Sequence, residues 1–197
     1  MNTCQQGLPQ SRPRLYIAAL LKDAKVRPFK WPKPCSAPTL LSVLDRKRKH
    51  DTLDITNESS TVQENMQWAQ LHAKEKKINL SSKKSVVVVD AGASAKYRHM
   101  MVDMMPCVTR TAAMSCRYII VNQSGCRRVT VNELAKVQGV GLNRFDTSGL
   151  TRSQIGGMIG NAMSRNILDR VLPRLLFSVG VLKKLPRDKW ADGEVPI

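Results

Sequence analysis

Residues 14–21 read RLYIAALL, and how this octapeptide is taken decides the fold. As a strand it places Leu15, Ile17 and Ala19 on one face and Tyr16, Ala18 and Leu20 on the other. Both faces are then apolar, which is the pattern of an inner strand in a covered, parallel sheet. No strand–helix–strand pattern precedes it, so the strand asks for neighbours that the preceding residues do not supply.

Working outward, residues 27–44 carry Pro28, Pro32, Pro34 and Pro38 and read as an extended connection, with a short helix opening at Thr39. Residues 45–84 are polar and charged with few apolar anchors, which predicts a loose insertion, helical over 64–76. Within it, Arg46-Lys47-Arg48-Lys49 reads as a solvated basic loop or as a nuclear signal, the loop being the commoner case. Val86 to Val89 predict a short buried strand ending in Asp90, followed by the turn residues Gly92 and Ser94. Residues 117–121 predict a second strand, with a turn at Gln123-Ser124-Gly125.

Thr130 and Glu133 form a capping box, and the helix they open should stop at Gly139. Thr151 and Gln154 repeat the device, with a break at Gly160-Asn161. A last helix over 164–179, capped by Ser164, carries a stripe of Ile167, Leu168, Val171, Leu172, Leu175, Leu176 and Val179. Pro173 lies inside it and should kink it. The tail, 183–197, is polar with two prolines and is expected to be mobile.

Composition narrows the function. The 197 residues hold 32 Lys+Arg against 15 Asp+Glu, a net charge of +17 spread along the whole chain. Such a surface suits a phosphate backbone before an acidic membrane or an acidic partner. Aromatic residues are 5%, too few for a platform that stacks single-stranded bases. No run is apolar and long enough to span a membrane, and residues 1–14 do not form a secretory signal. Cys4, Cys35, Cys107, Cys116 and Cys126 are odd in number and lack CxxC spacing. With three scattered histidines they predict no metal site and a reduced, intracellular protein, nuclear if the source is eukaryotic.

Gln10-Ser11-Arg12-Pro13-Arg14, leading into the apolar strand, and Phe29-Lys30-Trp31-Pro32 resemble the Q-x-R-x-R motif and the F-x-W-P that follows it in the cytosine-5 DNA methyltransferase family. Pro106-Cys107-Val108-Thr109-Arg110-Thr111 is similar to the end of its target recognition region. Residues 127–139, from Arg127-Arg128 through Thr130 and Glu133 to Gln138-Gly139, resemble R-x-L-T-x-x-E-x-A-x-L-Q-G. Residues 154–162 resemble the last motif, Q-x-x-x-I-G-N-A. Val140 and Ser164 depart from the family pattern, where an aromatic and a Pro or Val are usual.

The resemblance implies an α/β protein: the remnant of a Rossmann-like S-adenosylmethionine-dependent domain plus a small, irregular, mostly β target recognition domain. Residues 1–26 would close the catalytic domain, 27–150 would be the recognition domain with its insertion at 45–84, and 151–182 the helices returning to the catalytic domain. The family's methyl-donor loop, Pro-Cys nucleophile and Glu-Asn-Val segment all precede Q-x-R-x-R. They are therefore expected in a missing N-terminal half, in the same chain or in a separate subunit. Pro34-Cys35 and Pro106-Cys107 follow the motif, so in family order neither cysteine is the nucleophile.

Individual roles follow in two ways. Arg12 and Arg14 alternate with Ser11 and Pro13 and point the same way, as a phosphate or flipped-base clamp would, or as surface arginines at a strand end. The resemblance implies the clamp, on a cytosine taken out of the stack. Gln10 can donate and accept and so fix its loop. Thr130 and Glu133 are explained by capping, with Arg127 or Arg128 bracing the helix that ends at Gln138-Gly139. The resemblance puts Gly160, Asn161 and Ala162 against S-adenosylmethionine, while Asn161 also suits a helix cap. Thr109 and Arg110 suit either phosphate contact or a strand edge. Lys96, Tyr97, Arg98 and His99 lie in the recognition region without a motif behind them.

The expected function is the C-terminal portion of a DNA (cytosine-5)-methyltransferase, a fragment that binds double-stranded DNA and completes the site for methyl transfer but is inactive alone. A non-catalytic basic DNA-binding protein and an RNA cytosine methyltransferase fragment are the alternatives. The strand at 14–21 and the last helix should expose apolar surface that the missing half would cover.

Overall fold

The computed structural model describes residues 1–24, 26–45 and 53–194. The basic run Arg46-Lys47-Arg48-Lys49 lies outside the described residues. Among the described residues there are six α-helices: α1 (Leu40–Val43), α2 (Ser60–Glu75), α3 (Arg110–Met114), α4 (Val131–Val137), α5 (Arg152–Asn161) and α6 (Arg165–Ser178). The described strands, β1 (Val87–Asp90), β2 (Met100–Val102), β3 (Tyr118–Asn122) and β4 (Gly125–Arg128), form one sheet in the order β2-β1-β3-β4. Every pairing is antiparallel.

The valine run makes β1 a central strand, because both of its faces find cover. Val88, with Tyr118 and Ile120 of β3, packs against α1, α3, α4 and α5 through Leu40, Ala112, Leu134 and Ile159. Val87 and Val89, with Ile119, pack on the other face against Val62, Met66 and Ala69 of α2. Burying each valine contributes about 2 kcal/mol relative to leaving it exposed. Within the insertion, the short apolar spacing of Val62, Met66, Ala69 and Ala73 is enough to seat α2 on the sheet. Its helix also begins four residues earlier than the expected 64–76.

The strand expected at 14–21 is absent. Tyr16, Ala18 and Leu20 are partly covered while Leu15, Ile17 and Leu21 stand 87%, 84% and 81% exposed. This period-two pattern is that of an extended chain lying on one side only. A strand needs ladder partners, and no described strand pairs with these residues. The described sheet is the antiparallel one above, and it holds β2 and β4, which the sequence reading did not anticipate.

Of the tail expected to be mobile, the described residues 183–194 hold a buried anchor. Trp190 is 3% exposed and packs on Gly7 and Gly139, and its Nε1 donates to Asp169 at 3.1 Å. Arg170 of α6, also buried, donates to Asp188 at 2.9 Å, to the Lys33 carbonyl at 2.7 Å and to Gln6. The polar character of residues 183–194 thus hides one large apolar anchor and, in the half-buried Asp188, the partner of the buried Arg170.

Candidate functional site

Residues 9–12 lie along the backbone of residues 105–108. Met105 donates to the Pro9 carbonyl at 2.8 Å, and Ser11 donates to the Met105 carbonyl at 2.9 Å. This seats Arg12 inside the protein. Its Nη1 donates to the Val108 carbonyl at 2.5 Å, and its Nη2 to the carbonyls of Ala162 at 2.9 Å and Gly160 at 3.4 Å. One guanidinium thus joins residues 10–14, the segment 105–108 and the end of α5. A planar fork of fixed donors suits this; a lysine ammonium would not reach all three.

Arg14 differs. It is exposed, and its Nη2 lies 3.4 Å from the Cys107 sulfur, which Arg12 Nη1 also approaches, to 3.5 Å. The Cys107 carbonyl accepts from the buried Tyr118 hydroxyl at 2.8 Å. Burial, with Asp90 nearby, pushes that hydroxyl's pKa well up, so it remains a donor. Gln10 is fully buried, and its side-chain amide has no partner among the described residues.

Gly160 is a glycine because α3 lies against it. A Cβ there would sit 2.5 Å from the Arg110 Cα and amide nitrogen, and one at Gly156 would collide with the Ala113 carbonyl. The spacing of four between the two glycines puts both on the face of α5 that meets α3. Thr109 caps α3 by accepting from the Ala112 amide at 3.4 Å; it is neither buried nor on a strand edge. Arg110 and Thr111 are exposed beside it.

These contacts test how the last motif suits S-adenosylmethionine. The Gly160 and Ala162 carbonyls are already accepting from Arg12, and the backbone of Arg110 fills the space beside Gly160. Asn161 is exposed at the end of α5, and its carboxamide is the group of the three that is left to meet a ligand. Ala162 and Gln138 form the floor of an apolar cleft of about 310 Å³, walled by Val140, Phe145, Leu150 and Met158.

Gln138 links the remaining motifs. Its Nε2 donates to the Ile159 carbonyl at 3.3 Å, and its Oε1 accepts from the Ser164 hydroxyl at 2.9 Å. Ser164 in turn lies 2.9 Å from the Thr3 hydroxyl. Ser164 precedes α6, but its hydroxyl makes this bridge and does not cap the helix. Gly139 follows with φ +79°, which favours glycine, and its open face receives Leu8 and Trp190.

The capping boxes form as spelled. Thr130 accepts from the Glu133 amide at 3.1 Å, and Glu133 accepts from the Thr130 amide at 2.9 Å; Thr151 and Gln154 do the same on α5. Arg127 is the brace, with both Nη atoms on the fully buried Glu133 carboxylate at 2.8 and 2.5 Å. Arg128 instead reaches Glu58 at 2.5 Å and the Cys116 carbonyl at 3.1 Å. Burial alone would raise the Glu133 carboxyl, but the hydrogen bonds and charge of Arg127 and the Thr130 amide outweigh it and hold the pKa below its ordinary value.

Burial pushes the Cys35 thiol up, which is the wrong direction for a nucleophile. Among the described residues all five cysteines are free, no cluster of His, Cys, Asp or Glu could hold a metal ion, and no helix is long and apolar enough to cross a membrane. Gly156, Cys107 and Trp190 were not singled out as site residues from the sequence. Gly156 had a signal in its spacing of four from Gly160, and Cys107 in its Pro-Cys pair; Trp190 had none.

A family model described as C-5 cytosine-specific DNA methylase matches residues 1–176. No curated protein and no solved structure matches the chain.

Proposed function

The chain belongs to the C-5 cytosine-specific DNA methylase family, and from that membership we propose that it forms the DNA-positioning and closing portion of a DNA (cytosine-5)-methyltransferase. The family acts on DNA and uses S-adenosylmethionine, which supplies the methyl group. The observation that carries the reading is the division between Arg12 and Arg14. Arg12 is buried and satisfied by three carbonyls, so it holds the first motif, the recognition region and the last motif in register. Arg14 is exposed beside Cys107 and is the guanidinium that meets the phosphate or the edge of the flipped cytosine. Exposed Arg110 and Thr109, just beyond Cys107, add phosphate contacts. Asn161 is the residue of the last motif that contacts the methyl donor.

A complementary N-terminal portion brings the nucleophile and the methyl-donor loop. Two surfaces support this. Leu15, Ile17 and Leu21 project along one edge of an apolar segment, and Leu172 and Leu176, one turn apart on α6, are 50% and 42% exposed. Burying such side chains contributes about 2 kcal/mol each, which favours assembly.

Equilibrium binding of a duplex across a salt series tests the DNA reading. Affinity should fall steeply with salt, and Arg14→Ala should weaken binding about tenfold for all sequences and lower the salt slope by about one. Folded RNA that competes as well as duplex DNA would overturn it in favour of an RNA substrate.

A further inference from the structure

Helix α6 and the tail enclose a cleft for which the DNA reading has no use. About 530 Å³ of space lies between Leu168, Leu172 and Pro173 of α6 and residues 187–190, with Arg144 also lining it. That volume is in the range of small-molecule sites. Its lining is held in place. Trp190, buried over Gly7 and Gly139, pins the backbone next to Lys189. Arg144 ends the short helical turn Leu142–Arg144, and its amide donates to the Gly141 carbonyl at 3.2 Å. A site fixed before the ligand arrives costs less entropy to fill.

The charges in the cleft do not balance. Arg144, Arg165, Arg187 and Lys189 line it together with two carboxylates, Asp169 and Asp188. Both carboxylates are engaged. Asp169 accepts from Trp190 Nε1 at 3.1 Å and from Arg165 at 3.2 Å, and Asp188 meets Arg170 at 2.9 Å and Arg174 at 3.5 Å. Arg187 is engaged as well, by Asp192 at 2.6 Å and Glu194 at 2.8 Å. Arg144 and Lys189 are exposed, and neither side chain has a partner among the described residues. Two uncompensated cations beside an apolar wall suit a dianion that carries an apolar body. A phosphate monoester is such a group: it takes the arginine fork and the lysine point charge together. Leu172, 50% exposed, gains burial when a ring lies on it.

We propose that this cleft binds a nucleoside monophosphate, with the phosphate on Arg144 and Lys189 and the ring system on Leu168, Leu172 and Pro173. The inference goes beyond the DNA reading and does not depend on it, since Arg14 does not line the cleft. Leu172 also belongs to the surface proposed for the N-terminal portion, so the ligand lies at the edge of that contact.

Equilibrium dialysis and thermal unfolding of the full chain at fixed ionic strength, with adenosine monophosphate, inorganic phosphate and adenosine as probes, test this. Adenosine monophosphate should bind saturably and raise the unfolding midpoint. Inorganic phosphate and adenosine, each half of the ligand, should bind at least about tenfold more weakly. Arg144→Ala and Lys189→Ala, at exposed positions, should leave the ligand-free midpoint unchanged and weaken the nucleotide about tenfold each. Arg14→Ala should leave nucleotide binding unchanged, and saturating duplex DNA should not displace the nucleotide. Displacement by duplex would give the two cations to the DNA backbone and overturn the proposal. So would nucleotide binding that is absent, no tighter than that of inorganic phosphate, or indifferent to both variants. The DNA reading is tested separately, by Arg14→Ala on duplex binding, and survives any of these results.

Discussion

Arg12 and Ala162, one hundred and fifty residues apart, are joined by a 2.9 Å hydrogen bond from a buried guanidinium to a backbone carbonyl. The same guanidinium holds Val108. Arg12→Ala leaves these buried carbonyls unpaired and should destabilise the chain by about 3 kcal/mol. Arg14→Ala, on the surface, should change stability by less than about 0.5 kcal/mol while reducing DNA affinity. Denaturant unfolding and equilibrium DNA binding, run on both variants, separate the two roles. Equal effects on stability would remove the distinction.

The glycines of α5 are expected to differ among themselves. Gly160→Ala forces a methyl group against the Arg110 backbone and should cost at least about 2 kcal/mol. Gly157→Ala meets two flexible side chains, Met114 at 3.3 Å and Arg110 at 3.8 Å. There the better helix propensity of alanine should dominate, giving a neutral or stabilising change of up to about 1 kcal/mol. Unfolding midpoints of the two variants decide it.

Much of the fold was readable where its determinants are local. The capping boxes Thr130/Glu133 and Thr151/Gln154 involve residues three apart and appear as written. The valine run at 86–89 announces a covered strand, whatever its partners. Strands β2 and β4 were not readable, because Met100–Val102 is short and half-covered and Gly125–Arg128 carries two arginines. Their status comes from pairing, not from pattern. The site divides in the same way. The arginine pair is visible in the sequence, but the acceptors of Arg12 are carbonyls, which every residue has. Nothing in the spelling marks those of Val108 and Ala162.

Acid should weaken the fold through Glu133. Its carboxyl is held below its ordinary value in the folded chain, so its contribution is complete above the unfolded pKa, about 4.3. It is lost as pH falls through the lower folded value. Unfolding free energy measured downward from about pH 6 should therefore drop below about pH 4. Glu133→Gln should flatten that part of the profile. It also leaves Arg127 buried without its counter-charge, costing about 3 kcal/mol at neutral pH. A wild-type profile that is flat through this range would contradict the assignment.

The tail should matter for stability. Trp190→Ala empties the space over Gly7 and Gly139 and removes the bond to Asp169, for a cost of about 3 to 5 kcal/mol. Trp190→Phe should retain most of the packing and lose about 1 kcal/mol with the hydrogen bond. Thermal unfolding of the pair distinguishes an anchored tail from a passive one, for which both would match the wild type.

Transfer of labelled methyl groups from S-adenosylmethionine to duplex DNA tests the central claim most directly. The purified chain should show none alone. Mixed with an N-terminal methyltransferase portion that carries the methyl-donor loop and the cysteine nucleophile, it should support transfer that Arg14→Ala abolishes. Transfer by the chain alone, lost on Cys35→Ala or Cys107→Ala, would contradict the account, because it would place the nucleophile within these residues.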